Sequence, residues 1–471
     1  MSVTVINRTA SNPASNGRAN FISRSTYERL PFRWFITLLV PLLGGYLFFG
    51  RPFAYLHIPG TPLYIGEVVL AVGLIEAVPY IRAIRVIVRQ HRPLRLLLAF
   101  MAVGALRMLW DLPEYGLDAV RDSAPWYYGA FAILVAVAVR IEPLWAARLR
   151  TAFCTALPFF LVWAPAAIIL ARQPGLPSVP GTATAINAFK PNDIGVFVAT
   201  AVAALWLIAG DRKRSPWYRP EFTMVGIGGL LVAGSQGRSG LVSAASLLAV
   251  VLGAWSGRRR IIGVLLSGLV LLISVGVVTG LSVELGSREL SVDQLLKNVS
   301  SIIETDEGSQ LADTVEWRLS YWSLVLEDSL SPEYAITGMG YGPILADRYG
   351  FQGPSAEDGQ PLRSVHNSHL TILARGGVVA FILWGLLWGA WFIELGHSSR
   401  WWRTTGNVRE LGGTVLLCAS AVGLLVNAVF DPTLEGPQVG IWLWVLFGLG
   451  VAVPRTGFYH NRPSGATSKG G

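Results

Sequence analysis

Apolar runs recur along the chain from residue 34 to residue 453, and short polar segments separate most of them. A helix that crosses a bilayer needs roughly 17–25 mostly apolar residues, whereas a membrane β-barrel has short strands of alternating polarity. The pattern therefore predicts an all-α, polytopic membrane protein with about twelve transmembrane helices. The predicted spans are about 34–50, 63–81, 94–110, 126–140, 152–171, 192–210, 221–236, 239–256, 261–281, 377–396, 411–430 and 439–453.

The polar segments divide the chain into five parts. Residues 1–33 are basic, rich in Ser and Asn, and lack the apolar core of a signal peptide, so we interpret them as a disordered cytoplasmic tail. Residues 34–281 hold the first nine spans, and residues 377–453 hold the last three. Between them, residues 282–376 form a large periplasmic loop with helical segments, and residues 454–471 form a second cytoplasmic tail.

The spans 221–236 and 239–256 are joined by Gly237 and Arg238 alone, so they could instead form one long helix. The distribution of charge favours two helices. With twelve spans, the inner segments carry 26 Lys and Arg residues and the short outer loops carry five. This positive-inside bias places both tails and residues 258–260 inside, and it places the large loop outside.

Composition agrees with a membrane protein. The chain is 52% hydrophobic and 14% charged, whereas a soluble domain is about 25% charged. The net charge of +9 follows the predicted topology, so it indicates orientation in the membrane and not a nucleic-acid partner. Cys154 and Cys418 are far apart inside apolar segments, which argues against a disulfide framework or a thiolate metal site.

Charged side chains are absent from the middle of the predicted spans and lie near their ends. Ion-coupled transporters place ionisable groups near the bilayer midplane. The pattern therefore disfavours such a transporter and favours chemistry at the outer surface. Glu67 and Arg107, near the outer ends of their spans, are supporting candidates for that site.

One short motif precedes the sixth span, and another lies between the seventh and eighth spans. Residues 187–195 read NAFKPNDIG, which is typical of a helix start. This motif is either a plain cap, or it turns Lys190 and Asn192 toward a polar headgroup. Residues 235–240 read SQGRSG and predict a tight outer turn. Arg238 at its apex is either an interfacial anchor or a guanidinium that grips a phosphate in a bidentate way.

Residues 315–326, VEWRLSYWSLVL, predict an amphipathic helix in the large loop. Arg318 flanks its apolar stripe, so it either stacks on Trp322 at the surface, or the helix lies on the membrane and points Arg318 at the same anion as Arg238. Residues 336–343, ITGMGYGP, predict a tight loop, and a backbone nest for an anion is the alternative. The predicted apolar stripe consists of Val315, Leu319, Trp322 and Leu326.

The large loop ends in the motif VHNSHL at residues 365–370. His366 and His369 are three residues apart, as in some metal sites, but no third ligand cluster accompanies them, so we predict no metal and no cofactor. A His at a helix start on the membrane surface suits a general base with an imidazole near its ordinary pKa, and a structural His is the alternative. Asn367, His369 and Arg375 are supporting candidates, as is Trp322.

These candidates suit one reaction. Two Arg side chains from different segments match a pyrophosphate, and a neutral His can remove a proton from a hydroxyl. Together they predict glycosyl transfer from a lipid-pyrophosphate donor. The acceptor hydroxyl attacks the anomeric carbon, and the Arg side chains stabilise the charge on the departing pyrophosphate.

The order of motifs resembles the O-antigen ligase / O-antigen polymerase superfamily of bacterial membrane glycosyltransferases. The matching pieces are FKPNDIG, SQGRSG, EWRLSYW, GMGYG, HNSHLTILARGG and NAVFDPTLEGPQVGIWLWVLFGLG, which together extend over residues 187–450. The N-terminal third resembles the family as hydrophobic spans alone. At the Arg238 turn the family often reads Ser-Arg-Gly, whereas this chain reads Gly-Arg-Ser-Gly.

The resemblance implies a fold related to the GT-C class and a periplasmic site in the bacterial plasma (inner) membrane. It implies a metal-independent, inverting transfer from an undecaprenyl-pyrophosphate glycan. It places the pyrophosphate-binding Arg residues on Arg238 and Arg318 and the proposed base on His366. The implied acceptors are a growing glycan, lipid A-core or another hydroxyl compound, with membrane lipids as surroundings and no nucleic acid.

Two other classes of function stay open at this point. A transporter or flippase of lipid-linked glycan would need polar residues along a path through the midplane, and the predicted spans lack them. A non-catalytic scaffold of an export complex would tolerate changes at His366. Polymerase and ligase use the same donor chemistry, so the motifs do not separate them.

Overall fold

The computed structural model describes residues 30–61, 63–171, 173, 175–182, 184–207, 220–254, 283–285, 288–290, 310–351 and 363–456. The predicted span 261–281 and most of the first half of the large loop lie outside the described residues. So do nearly all residues of the two predicted tails.

Apart from loops, turns and one short hairpin, the described residues are helical, which confirms the all-α prediction. Its two strands are β1 (Val283–Leu285) and β2 (Arg288–Leu290). The helices are α1 (Arg33–Ala54), α2 (Ile65–Ala77), α3 (Ile81–Gln90), α4 (Arg92–Tyr115), α5 (Leu117–Asp122), α6 (Ala124–Tyr127), α7 (Gly129–Ile141), α8 (Leu144–Leu170), α9 (Pro191–Leu207), α10 (Pro220–Gln236), α11 (Arg238–Ala254), α12 (Gln310–Ser329), α13 (Leu345–Arg348), α14 (Ser368–Thr404), α15 (Val408–Phe430) and α16 (Pro437–Thr456).

Six helical segments of the described chain are long and apolar enough to cross a membrane. They are α1, α4, the α6–α7 segment, α8, α14 and α15, and α9, α11 and α16 are shorter apolar helices. The prediction of a multi-pass membrane protein is therefore confirmed. The total of about twelve spans stays a prediction, as do the domain boundaries.

Small and aromatic residues allow the helices to pack closely. A side chain at Gly448 of α16 would collide with the Ala132 carbonyl of α7, so these two helices touch through their backbones. Trp391 of α14 donates its indole N–H to the Phe447 carbonyl of α16 at 2.9 Å. An aromatic cluster between α14 and α16 surrounds this bond, with Trp384, Trp388 and Trp444 as its other indole rings.

The chain breaks at Gly237 into two helices, α10 and α11, and both pack against α9. This agrees with two spans rather than one long helix. A side chain at Gly237 would overlap Asn192, and one at Gly240 would lie 3.1 Å from the Asn192 Cα atom. The small residues of the SQGRSG motif thus let the turn sit directly on the start of α9.

Helix α14 folds back on itself at Gly377, which has φ 70° and ψ −177°. Trp384 donates its indole N–H to His369 Nδ1 at 3.0 Å. Fifteen residues of straight helix would separate these positions by about 22 Å, so the bend must be sharp. The helix therefore begins nine residues before the predicted span at 377, and the bend separates a short outer arm from the long apolar arm.

Helix α12 confirms the predicted helix in the large loop but buries a different face. Leu319 and Leu326 of the predicted stripe are 56% and 44% exposed, whereas Tyr321 and Val325 are fully buried. Tyr321 stacks on Phe351 with ring centroids 4.7 Å apart. The aromatic contact inside the loop thus decides which face of α12 packs on the protein, and Leu319 and Leu326 of the predicted stripe lie on its exposed side.

The ITGMGYGP segment is a tight loop, as predicted, and the alternative of an anion nest is wrong. The backbone N–H of Tyr341 donates to Asp111 Oδ2 at 2.7 Å, and that of Gly342 donates to Asp122 Oδ2 at 3.0 Å. Two carboxylates of the protein thus occupy the backbone donors. These bonds fasten the large loop to the C-terminal ends of α4 and α5, where a side chain on Gly340 would collide with Arg107 and Asp111.

Candidate active site

His366 lies between the large loop and α14 in a strained backbone conformation. Its φ is +53°, a region that non-glycine residues seldom adopt and that often marks functional sites. Asn367 caps the following helix, because its side-chain oxygen accepts from the N–H groups of His369 and Leu370 at 3.1 Å each. The cap fixes the chain directly after His366.

Beside His366, an ion pair joins the segment before α9 to the segment after α15. Lys190, which immediately precedes α9, places Nζ 2.8 Å from Oδ1 of Asp431, which follows α15. Ser368 donates its hydroxyl to the Asp431 carbonyl at 3.2 Å and accepts from the Leu434 N–H at 3.2 Å. Segments far apart in sequence therefore meet beside His366.

Arg318 reaches the same place from helix α12. Its guanidinium Nη1 donates to the Phe430 carbonyl at 3.2 Å, one residue before Asp431. The charge of Arg318 acts on both His366 and Asp431. The prediction that Arg318 and His366 belong to one site agrees with this geometry. Among the described residues, the Arg318 guanidinium does not stack on the Trp322 ring.

Burial is the main cause that lowers the pKa of His366 to about 4; Asp431 opposes this shift, and the charges of Arg318 and Lys190 contribute to it. The imidazole is therefore neutral at physiological pH. We expected an imidazole near its ordinary pKa, and that expectation was wrong because sequence did not reveal the burial or the two cations. A neutral imidazole is the form that can accept a proton.

The charge of Asp431 is stabilised by the same cluster. Burial alone would raise the pKa of this carboxyl, but Lys190, His366 and Arg318 together hold it below its usual value. Burial lowers the pKa of Arg318, which nonetheless stays cationic because a guanidinium titrates far above neutral pH. The site thus combines two fixed cations, one carboxylate and one neutral base.

Asn192 connects this cluster to the Arg238 turn. It lies two residues after Lys190, and it packs against Gly237 and Gly240 on either side of Arg238. In the first turn of α9, Asp193 accepts from the Asn427 amide at 2.8 Å, which ties α9 to α15. The structure therefore places the Arg238 turn next to the segment that carries Lys190. That Arg238 and Arg318 bind one pyrophosphate stays a prediction.

Trp322 holds the backbone next to His366. Its indole N–H donates to the Val365 carbonyl at 2.7 Å, so helix α12 holds the backbone immediately before His366. The ring of Trp317, on the same helix, has its centroid 6.2 Å from that of His366. Trp322 and Asn367 are thus positioning residues on the two sides of the candidate base.

His369 is held by two protein partners. Its Nδ1 accepts from Trp384, so the proton resides on Nε2, which donates to the Leu425 carbonyl at 2.9 Å. Both ring nitrogens are engaged in joining the two arms of α14 to α15. His369 is therefore a structural His in this conformation and not a second base.

Arg375, Arg107 and Glu67 also have partners within the protein. Arg375 is 2% exposed, and its guanidinium pairs with Asp122 at 3.0 Å and donates to three backbone carbonyls. Arg107 pairs with Asp111 at 3.1 Å. Glu67 accepts hydroxyl hydrogen bonds from Tyr127 and Tyr128 at 3.0 and 2.7 Å. All three side chains therefore make structural contacts in this conformation, and their supporting role in the site stays a prediction.

Sequence reasoning missed Asp431. The residue stands in the quoted motif NAVFDPTLEGP, directly after an apolar span on the predicted outer side. A carboxylate at that position was a usable signal, because the same membrane face carries Lys190 and Arg318. Among the described residues, no group of three or more His, Cys, Asp and Glu side chains is arranged to hold a metal ion.

The fold and the cluster define a multi-pass membrane protein with a cationic, His-containing site at one end of its helices. Residues 222–385 match the family described as O-antigen ligase. This match confirms the resemblance to the O-antigen ligase / O-antigen polymerase superfamily, and it includes Arg238, Arg318 and His366. No curated protein matches the chain. Lys190 and Asp431 lie outside the matched segment.

Proposed function

We propose that the protein is a membrane glycosyltransferase that moves a glycan from an undecaprenyl-pyrophosphate donor to a hydroxyl acceptor at the outer face of the plasma membrane. The family match supports membrane glycan transfer of the O-antigen ligase or polymerase type. The donor, the outer face and the inverting, metal-independent mechanism belong to the proposal.

The observation that carries the proposal is the position of a neutral, strained His366 between Arg318 and the Lys190–Asp431 pair. A base that is uncharged at neutral pH and lies beside fixed cations suits removal of a hydroxyl proton next to an anionic leaving group. A purely structural His would have no need of two neighbouring cations, which disfavour its protonation.

The reaction follows from these positions. The acceptor oxygen attacks the anomeric carbon, and its proton passes to His366. The bond from that carbon to the pyrophosphate oxygen breaks, so the configuration inverts and both bonding electrons leave with the lipid pyrophosphate. Arg318 and Arg238 stabilise the growing negative charge, since a guanidinium can bind two phosphate oxygens at once.

The Lys190–Asp431 pair has a positioning role in this mechanism. Asp431 partly neutralises the cations that surround His366, so the two fixed positive charges can remain close together without a bound anion. When the pyrophosphate arrives, Lys190 gains a second counter-ion. This arrangement predicts that Asp431 affects donor affinity through Lys190 and Arg318 rather than through a bond to the sugar.

A transfer assay tests the proposal. The purified protein in proteoliposomes is given a defined undecaprenyl-pyrophosphate oligosaccharide together with candidate acceptors, and the products are resolved by mass. A ladder of longer lipid-linked glycans indicates a polymerase, and movement of the glycan to another acceptor indicates a ligase. His397→Ala, an exposed His change on the predicted inner side, is the matched control for His366→Ala. If the intact donor crosses the membrane and none of its glycan is transferred, the proposal is contradicted.

A further inference from the structure

Helix α1 brings an additional cation to the candidate site. The helix kinks at Gly50, with φ 59° and ψ −136°, and Arg51 follows directly. At the kink, a side chain on Gly50 would lie 3.3 Å from Phe189 and 3.4 Å from Gln438 Nε2. The absence of a side chain thus lets α1 approach the residue that precedes Lys190, and it places Arg51 at that junction.

The charge of Arg51 acts on the cluster around His366. It opposes the protonation of Lys190, and it also acts on Asp193 at the start of α9. Arg51 is half-buried and lies over the Tyr55 ring, with its guanidinium carbon 5.6 Å from the ring centroid and Nη2 3.4 Å from the Tyr55 hydroxyl. Two cations held near each other at one site suit an anion with more than one charge.

A small apolar crevice lies beside Lys190. Helices α1, α8 and α9 form its walls, and Lys190 and Gln438 lie among its lining residues. The apolar lining comes from the parts of α1, α8 and α9 that lie toward the predicted outer surface, together with Phe189. Its large side chains are Leu47, Phe48, Phe160, Trp163, Phe189 and Phe197.

We propose that Arg51 binds the phosphate of the lipid donor together with Lys190, and that the first part of the donor's hydrocarbon chain packs against the apolar side chains of the crevice. Lys190 among these apolar residues, with Arg51 at the neighbouring kink, matches a single-chain lipid with a multiply charged headgroup. Pyrophosphate carries more charge than the single phosphate of an ordinary anionic phospholipid. The identity of the lipid rests on the proposed function. The inference gives the N-terminal third of the chain a role in binding the donor.

The test measures binding without any sugar or transfer. Undecaprenyl pyrophosphate and soluble sodium pyrophosphate are titrated against the purified full chain in detergent, with phosphatidylglycerol as a competitor. Arg51→Ala removes the cation, and Arg51→Lys keeps a charge without the bidentate geometry. Ala167→Phe fills the crevice, since Ala167 is a buried lining residue. Thermal unfolding of each variant reports whether it is folded.

Two matched controls separate these roles from general effects. Arg121→Ala removes an exposed Arg on the same predicted face, and Ala166→Phe adds the same volume to the exposed side of α8. Both controls should bind like the unchanged protein. Arg51→Ala should weaken both undecaprenyl pyrophosphate and soluble pyrophosphate roughly 10- to 100-fold, as expected for a lost charge-assisted hydrogen bond. Ala167→Phe should weaken the lipid and leave soluble pyrophosphate unchanged.

Each other outcome is informative. Unchanged affinity in folded Arg51→Ala and Arg51→Lys proteins would overturn the role of Arg51. Equal lipid binding by Ala167→Phe and Ala166→Phe would overturn the crevice, and equal competition by phosphatidylglycerol would show a site for anionic lipids in general. If these binding results hold but no glycan is transferred, the proposed function fails and the lipid site remains.

Discussion

Lys190 Nζ lies 2.8 Å from Asp431 Oδ1, and this ion pair joins the start of α9 to the turn after α15 beside His366. Its side chains are 31% and 14% exposed, so it is shielded from solvent more than a surface pair. The pair fixes the distance between the two segments that flank the candidate base. It also supplies the negative charge that allows Lys190 and Arg318 to lie close together.

Breaking this pair should cost both stability and donor affinity. Asp431→Asn leaves Lys190 without its counter-ion, and we expect a loss of about 1–3 kcal/mol in the free energy of unfolding, less than the 3–5 kcal/mol typical of a fully buried pair. Denaturant unfolding in detergent measures this loss. The more exposed Arg348–Asp328 pair is the comparison, and Asp328→Asn should cost about 1 kcal/mol or less. A smaller loss from Asp431→Asn than from Asp328→Asn would contradict the structural role.

The acid limb of activity should lie well below the ordinary pKa of a His. Because burial lowers the pKa of His366 to about 4, kcat/KM should hold down to about pH 5 and fall as the imidazole of the free protein takes up a proton. The pH profile of single-turnover transfer checks this. An acid limb near pH 6.5 would contradict the buried environment of His366.

Folding stability should also depend on pH through the imidazole of His366. Between about pH 6.5 and pH 4 the unfolded chain binds a proton at His366 that the folded protein does not, so stability rises with pH through this window. Asp431, with its lowered pKa, contributes stability above its unfolded pKa and loses it as pH falls through the folded pKa. His366→Asn should flatten the slope between pH 4 and 6.5, and an unchanged slope would contradict the assignment.

The orientation of the large loop can be measured with single cysteines. In a chain whose Cys154 and Cys418 are replaced by Ser, Glu333→Cys in the loop should react with an impermeant thiol reagent in intact cells. His397→Cys, near the inner end of α14, should react after lysis alone. Both positions are exposed, so access to the membrane side decides the result. The reverse pattern of labelling would invert the topology that the distribution of Lys and Arg predicts.

Chelation tests the proposed source of leaving-group stabilisation. If Arg238 and Arg318 stabilise the departing pyrophosphate, transfer should continue in EDTA at the rate seen without it. Each divalent ion is then added back to the chelated protein, and turnover should not change. Loss of turnover in EDTA that one divalent ion restores would require a metal in the mechanism and would overturn the account based on Arg side chains alone.

Much of the architecture was readable because membrane spans obey simple rules. Apolar length located the helices, and the break at Gly237 appears where the sequence placed a turn. The fold-back of α14 at Gly377 was not readable, since the bend depends on the pairing of His369 with Trp384 across the arms. The predicted span began at residue 377, where the long arm begins, but periodicity does not show that the nine preceding residues are helical.

The candidate site was predictable by residue type but not by partner. His366 and Arg318 were singled out by their positions in the loop, and the structure places both beside Asp431. Arg375 and Arg107 carry the same chemical group, yet Arg375 pairs with Asp122 of a distant segment and Arg107 pairs with Asp111 one turn along its own helix. Sequence alone could not separate Arg375 from Arg318, because it does not show whether the partner of a guanidinium is a protein carboxylate or a phosphate of the substrate.

Substitutions at the two Arg residues should separate charge from geometry. Arg238→Lys and Arg318→Lys keep the charge but lose the planar fork, so neither should restore activity that the Ala variants lack. We expect each to cost donor affinity and rate together, on the order of 2–4 kcal/mol of transition-state stabilisation. Steady-state kinetics over donor concentration measure both quantities. Full activity of either Lys variant would show that the site needs a positive charge at that position and not the planar guanidinium.

The most direct test of the account combines donor binding with turnover in His366→Ala. If His366 is the base, the variant should bind the undecaprenyl-pyrophosphate glycan nearly as well as the unchanged protein, while single-turnover transfer falls roughly 10²–10⁴-fold. Arg318→Ala, measured beside it, should lose donor binding and rate together. Transfer by His366→Ala at close to the unchanged rate would contradict the central claim. A loss of donor binding equal to that of Arg318→Ala would instead make His366 a ligand of the phosphate and not the base.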